Sequence, residues 1–322
     1  IWLWRKSLYS PLRYSSFYAR LHRRGIPGIC HIDPSKKVRL IIKNTGDVKM
    51  IEKDLIINNI NKIKPKIHSI TNTITINDCA NILLAAGGHA TMASDPAEAT
   101  EMISHCDGLV LNLGAVSSLE AMLAAGKEAN RLGHPVVLDP VAAGATSLRK
   151  NACQRLLSEL RFSAIRGNAS EISALSDLLT KSGVTTESFV DAPEAEIMQE
   201  KNLEVCRENA RCLSRYTDAL IVVSGKEDLV VYRDQCEMIR GGSPLSARIT
   251  GSGCMLTELI CLCMAANPED HWSAVCTAVH QMNLAAEKAA RKTQAADGGT
   301  MSFRMYLIDE ISKTFTGEVP GL

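Results

Sequence analysis

From residue 67 onward the chain alternates short apolar runs with longer segments of helical periodicity. Leu109–Gly114, Pro135–Pro140, Phe162–Arg166 and Ala219–Gly225 are short, mostly apolar runs, most of them ending in glycine or a polar turn. Such runs are predicted to be strands buried on both faces. Residues 67–78 alternate β-branched and polar positions and read as a strand leading into a helix. Gly87–Ala93 reads as a glycine turn followed by a short extended piece. Helices are predicted at 76–87, 97–105, 117–131, 148–160, from 169, and at 202–215, 254–266, 271–292 and 302–314. Residues 228–233 and 236–240 form a predicted hairpin, and the polar stretch 181–200 an irregular excursion. Strands separated by helix-length segments define an α/β fold with a central, mainly parallel β-sheet and helices on both faces. In such sheets ligands bind beyond the carboxyl ends of the strands. That rule directs attention to Asn112–Gly114, Asp139–Pro140, Arg166–Asn168 and Ser224–Gly225.

The turn Gly251-Ser252-Gly253-Cys254, ahead of the apolar run Met255–Ala266, carries the most chemistry. A Gly-x-Gly turn opening a helix presents backbone N–H groups to an anion, and the helix dipole adds partial positive charge. A cysteine at the first helical position would feel the same field, which favours its thiolate. Cys254 is therefore a candidate base for a substrate hydroxyl, and the amides around Gly253 a candidate cradle for a phosphoryl group. No Walker A pattern occurs, and Leu256 stands where a dinucleotide fingerprint needs its third glycine. Asn168 and Glu171 are three apart at a helix start, and with Arg166 they could order magnesium beside a nucleotide phosphate. The same spacing is that of a capping box, which would leave them purely structural. Asp139 closes a strand and offers carboxylate oxygens to a hard cation, or simply makes an Asp-Pro turn. Asn72 and Asn77 could hydrogen-bond a small ligand or cap a turn. Met92 could pack on a flat ring or belong to the core.

Charge separates the first 49 residues from the rest. They hold 11 Lys+Arg against 2 Asp+Glu and six of the 14 aromatic residues, and no methionine precedes Met50. Organellar presequences share this composition, and so would upstream sequence translated in frame. Residues 1–49 are expected to be a non-native or disordered extension, and 50–322 one catalytic domain. That remainder carries a net charge of about −8, which argues against nucleic acid as a partner. No apolar stretch is long enough to span a bilayer. The 11 cysteines are odd in number and include no C-x-x-C, the usage of reduced thiols in a cytoplasmic protein. The eight histidines form no zinc-ligand pattern.

Five motifs in order, I-H-S-I-T-N at 67–72, L-V-L-N-L-G at 109–114, L-D-P-V-A-A-G-A-T at 138–146, R-G-N-A-S-E-I at 166–172 and T-G-S-G-C-M-L at 250–256, resemble those of the hydroxyethylthiazole kinases. These belong to the ribokinase-like superfamily. The resemblance implies ATP-dependent phosphorylation of the primary hydroxyl of 4-methyl-5-(2-hydroxyethyl)thiazole in thiamine salvage, with magnesium. It implies that Met92 and Gly251 touch the thiazole and that Arg166 and Ser224 contact ATP. Asp139 and Glu171 then look like the magnesium-side carboxylates, and Cys254 stands where most of the superfamily carries an aspartate base. The family forms trimers with active sites near subunit interfaces, so a homotrimer is expected. Ala142 departs from the pattern, since many members have glycine there, and Ser252 replaces a common threonine. The alternative on the same fold is an ATP- or ADP-dependent nicotinamide-nucleotide hydrate dehydratase, whose relatives carry aspartate at the position of Cys254.

Overall fold

The computed structural model describes residues 45–180 and 200–317. The expected excursion at 181–200, except Glu200, which opens a helix, and nearly all of the 1–49 extension lie outside them. The chain divides into two compact units, Ile1–Val48 and Lys49–Leu322, and the second carries the sheet.

Eight strands form one sheet in the order β2-β1-β3-β4-β5-β6-β7-β8. They are β1 (Lys66–Ile70), β2 (His89–Thr91), β3 (Gly108–Asn112), β4 (Val136–Asp139), β5 (Ala164–Asn168), β6 (Leu220–Ser224), β7 (Asp228–Tyr232) and β8 (Gln235–Ile239). Strands β1 to β6 pair in parallel, and β7 and β8 add an antiparallel hairpin at one edge. The helices are α1 (Thr45–Ile63), α2 (Ile76–Ala85), α3 (Pro96–Ile103), α4 (Leu119–Leu132), α5 (Ser147–Glu159), α6 (Ala169–Thr180), α7 (Glu200–Thr217), α8 (Ser252–Ala266), α9 (His271–Ala295) and α10 (Thr300–Thr316).

Strand alternation divides the core in two. Val110, Val137, Val222 and Val230 join α1, α2, α8, α9 and α10 in one apolar cluster. Their neighbours Leu109, Leu111, Leu138, Ile221 and Val231 join residues of α3 to α7 in the other. Because successive side chains point to opposite faces, covering both faces demands the continuous apolar runs seen in the sequence. Helix α8 is buried from Met255 to Met264 and lies on the first face. Among the described residues no helix is long and apolar enough to cross a membrane.

Most boundaries differ from expectation by a few residues, and three of these differences bear on the strand ends and the helix mouth. Strand β1 stops at Ile70 because Asn72 folds the next residues into a turn, its Oδ1 accepting from the amides of Ile74 and Thr75 at 3.1 Å each. Strand β5 begins at Ala164 rather than Phe162. Helix α8 begins at Ser252, so Cys254 is its third residue and not its first.

Candidate active site

The parallel register brings the functional strand ends side by side. Asn112 at the end of β3 pairs with Asp139 at the end of β4, and Asn168 at the end of β5 with Ser224 at the end of β6. The mouth of α8 opens onto the same edge. Gly251 is its N-cap, with φ +85°, a left-handed conformation that a side chain resists. A Cβ there would also lie 2.9 Å from Thr75 Cγ2. The first intrahelical bond runs from the Met255 amide to the Gly251 carbonyl at 2.8 Å. The amides of Gly251, Ser252, Gly253 and Cys254 thus have no intrahelical partner and point out of the helix end.

Cys254 is partly exposed and lies in a polar cluster. Asn112 Nδ2 donates to Asp139 Oδ2 at 2.7 Å and to Cys254 Sγ at 3.2 Å. Asn72 Nδ2 donates to Asn112 Oδ1 at 3.2 Å and reaches Cys254 Sγ at 4.0 Å. The guanidinium of Arg166 lies over Gly253, where a Cβ would come within 2.2 Å of it. From there it donates to Ser224 Oγ and sits 4.0 Å from Asp139 Oδ1. Asp139 is fully buried, and its Oδ1 has no hydrogen-bond partner.

The electrostatics overturn one expectation. Burial, and then the charge of Asp139, push the Cys254 thiol up to about 12. A hydrogen bond with Thr75 and the charge of Arg166 pull the other way without offsetting them, so the thiolate favoured at this turn gives way to a neutral thiol. Asp139 is itself raised to about 6, by burial first, against the pull of Arg166 and with the push of Glu171. Glu258, one turn further along α8, is wholly buried, accepts from Ser69 Oγ at 2.7 Å and is raised by burial to about 8.

Asn168 and Glu171 form the reciprocal capping box. Asn168 Oδ1 accepts from the Glu171 amide at 2.9 Å, and Glu171 Oε2 accepts from the Asn168 amide at 2.8 Å. Glu171 Oε1 accepts from the Ala142 amide at 2.9 Å. Ala142 has φ +54°, which explains why glycine suits this position.

The sequence thus located Asn72, Asp139, Arg166, Ser224, Gly251, Gly253 and Cys254 in one cluster, with Asn168 and Glu171 beside it. Asn77 is not brought in. It is exposed on α2 and accepts from Asn81 Nδ2 at 2.9 Å, and among the described residues no hydrogen bond joins it to the cluster. Met92 follows β2 and is partly exposed rather than core. Asn112, in the Asn112–Gly114 turn to which the strand-end rule pointed, holds the thiol and the carboxylate together; it was given no role there, and its place opposite Asp139 was the available signal for one. Asp228 was also missed. It is buried and fixes the turn after Ser224, accepting from the Gly225 amide at 3.1 Å and from Asn283 Nδ2 at 2.7 Å. A cavity of about 470 Å³ lies elsewhere, between β8 and α9, lined by residues that include Arg240, Trp272 and His280.

A mainly parallel sheet with a glycine turn and helix mouth facing its strand ends is the ribokinase-like architecture. A ribokinase-like superfamily protein from Enterococcus faecalis V583 shares it at a TM-score of 0.54 and 12% identity, over 82% of this chain and 95% of that one. Within that class, the model of the hydroxyethylthiazole kinase family matches residues 57–317, and the chain belongs to this family. It is 42% identical to the hydroxyethylthiazole kinase of Desulfovibrio desulfuricans over 266 residues, 80% of this chain and 92% of the relative. Against that of Clostridium acetobutylicum it is 39% identical, over 79% of this chain and 91% of the relative. The structure of a hydroxyethylthiazole kinase protein from Pyrococcus horikoshii OT3 superposes at a TM-score of 0.69 and 29% identity, covering 82% of this chain and 93% of that one.

Proposed function

We propose that the protein transfers the γ-phosphoryl group of ATP to the primary hydroxyl of 4-methyl-5-(2-hydroxyethyl)thiazole, a step of thiamine biosynthesis or salvage. The observation that carries this reading is the meeting of Cys254, Asn112, Asp139 and Arg166 at the open end of α8. Phosphoryl transfer needs alignment and charge stabilisation more than covalent chemistry. The Gly251–Cys254 amides receive charge as it builds on the phosphoryl oxygens. Arg166, with Ser224 and Asn168 beside it, holds the nucleotide phosphates. Met92, Gly251 and Asn72 flank the thiazole, and Asn77 has no part. Because the Cys254 thiol is neutral, it orients the hydroxyl and does not strip its proton in advance. The new O–P bond forms as the bond to ADP breaks, and the proton leaves with the phosphorylated product.

The donor set suits magnesium. Asp139 Oδ1 is a buried oxygen without a hydrogen-bond partner, and a hard cation that keeps several waters takes one or two carboxylates beside substrate phosphates. Glu171 would act through water, since both its oxygens already accept backbone amides. Bound there, magnesium offsets phosphate charge.

A homotrimer fits the exposed apolar side chains of α2, α10 and the turn before α2. Ile74 is 75% exposed, Leu84 55%, Met301 67% and Met305 51%, and such surface favours a subunit interface. Light scattering should give three times the chain mass. Ten free cysteines among the described residues fit a reducing cytoplasm. Residues 1–49 are read as dispensable. The test is ADP release by protein begun at Met50, with hydroxyethylthiazole and with hydroxymethylpyrimidine. Release that depends on the thiazole alcohol supports the reading; none in a folded protein overturns it.

A further inference from the structure

His68 lies in β1 and is wholly buried. Its neighbour across the sheet is the edge strand β2, where it pairs with Thr91. Strand β2 is only three residues long, and its parallel pairing ends at Thr91. The chain then leaves the sheet through Met92 and Ala93, and Ala93 is buried. His68 Nε2 accepts from the Ala93 amide at 3.2 Å and lies 3.0 Å from the Ala93 carbonyl oxygen. The other ring nitrogen, Nδ1, is buried without a partner.

A neutral imidazole carries one ring proton, and burial holds His68 in that form by lowering its pKa. With the proton on Nδ1, Nε2 accepts from the Ala93 amide. With the proton on Nε2, it donates to the Ala93 carbonyl. In either tautomer Nε2 ties the Ala93 backbone to β1 beyond the last strand pairing.

We propose that His68 is a positioning residue for the ring end of the alcohol substrate: by fixing the Ala93 backbone it sets Met92 against a flat heterocycle that carries a hydroxyalkyl arm. This rests on the reading that Met92 flanks the thiazole. His68 makes no contact with the nucleotide side in this scheme, so its influence falls on one substrate only.

The test compares His68→Leu, His68→Gln and Met92→Ala in the full chain. One lost hydrogen bond corresponds to a threefold to tenfold effect, on the order of 1 kcal/mol. His68→Leu should raise KM for the thiazole alcohol by about that factor while KM for MgATP stays unchanged. His68→Gln, whose amide nitrogen can reach the same carbonyl, should restore most of it. In Met92→Ala the His68→Leu change should add nothing further. Equal rises in both KM values, or effects that multiply in the double variant, overturn the proposal. If His68→Leu does not fold, His68→Asn, too short to reach Ala93, takes its place. Hydrogen exchange of the segment 88–95 is read without substrate, and it should quicken in His68→Leu but not in His68→Gln. Unchanged exchange overturns the positioning role even if the wild type phosphorylates the thiazole. Quickened exchange in a protein without thiazole turnover would instead fault the functional reading.

Discussion

Gly253→Ala separates the site from the fold. A Cβ at this position would lie 2.2 Å from Nη1, 2.6 Å from Nη2 and 2.7 Å from Cζ of Arg166. Ordinary contact begins near 3.4 Å, so the guanidinium must retreat by roughly 1 Å, a misplacement that can cost on the order of 100-fold in rate. The retreat pulls it from Ser224 and shifts it against Asp139. Arg166 is the end of a flexible side chain, so the fold need not give. Alanine also favours the helix over glycine by about 0.5–1 kcal/mol. The variant should therefore keep or slightly raise its Tm while kcat/KM for ATP falls on the order of 100-fold. Steady-state ADP release with a thermal melt on the same sample measures both. In an Arg166→Ala background the alanine should cost no further activity. Wild-type kcat/KM in Gly253→Ala, or an equal additional loss in the double variant, would refute the packing argument.

Ala142→Gly removes a left-handed strain worth about 1–2 kcal/mol and adds unfolded-state entropy; chemical denaturation should show a neutral to slightly stabilising change, and a loss above about 1 kcal/mol contradicts the turn geometry. Cys254→Ala should lower kcat on the order of 100-fold, the cost of a misplaced hydroxyl, in a folded protein, whereas Cys254→Asp should keep or raise activity. With the thiol raised to about 12, wild-type kcat should show no inflection near the ordinary thiol value of 9.0, and an inflection there lost in Cys254→Asp would restore the thiolate. Glu258 has a folded-state pKa of about 8 against an ordinary 4.5; its contribution to stability is full below 4.5 and is lost as pH rises through 8. Melting of the wild type should accordingly drop between pH 4.5 and 8 more than that of Glu258→Gln, whose amide oxygen still accepts from Ser69; parallel curves would contradict the buried acid.

The sheet was legible because burial on both faces forces unbroken apolar runs, as in Leu109–Leu111 and Ile221–Val223. Helix α1 was not, since little beyond Ile56 and Ile60 marks its buried face in a polar stretch. The strand-end rule placed Asp139, Arg166 and Ser224 at one edge, and the Gly-x-Gly pattern placed Cys254 among them. Asn112 was reached by the strand-end rule but given no role, because a lone asparagine ending a strand has no local signature; only its register with Asp139 reveals one. The spacing of Asn168 and Glu171 fits both a cap and a metal pair, and the structure makes the cap. The thiol's charge state was misjudged because a helix start is visible in sequence while burial beside a carboxylate is not.

Phosphorus NMR of the protein with Mg-ATP and hydroxyethylthiazole tests the central claim most directly, since it follows where the phosphoryl group goes. A phosphomonoester resonance should grow in equal measure with ADP and vanish when the alcohol is omitted. ADP accompanied by inorganic phosphate, or intact ATP in the presence of folded protein, would contradict transfer at the Cys254 turn.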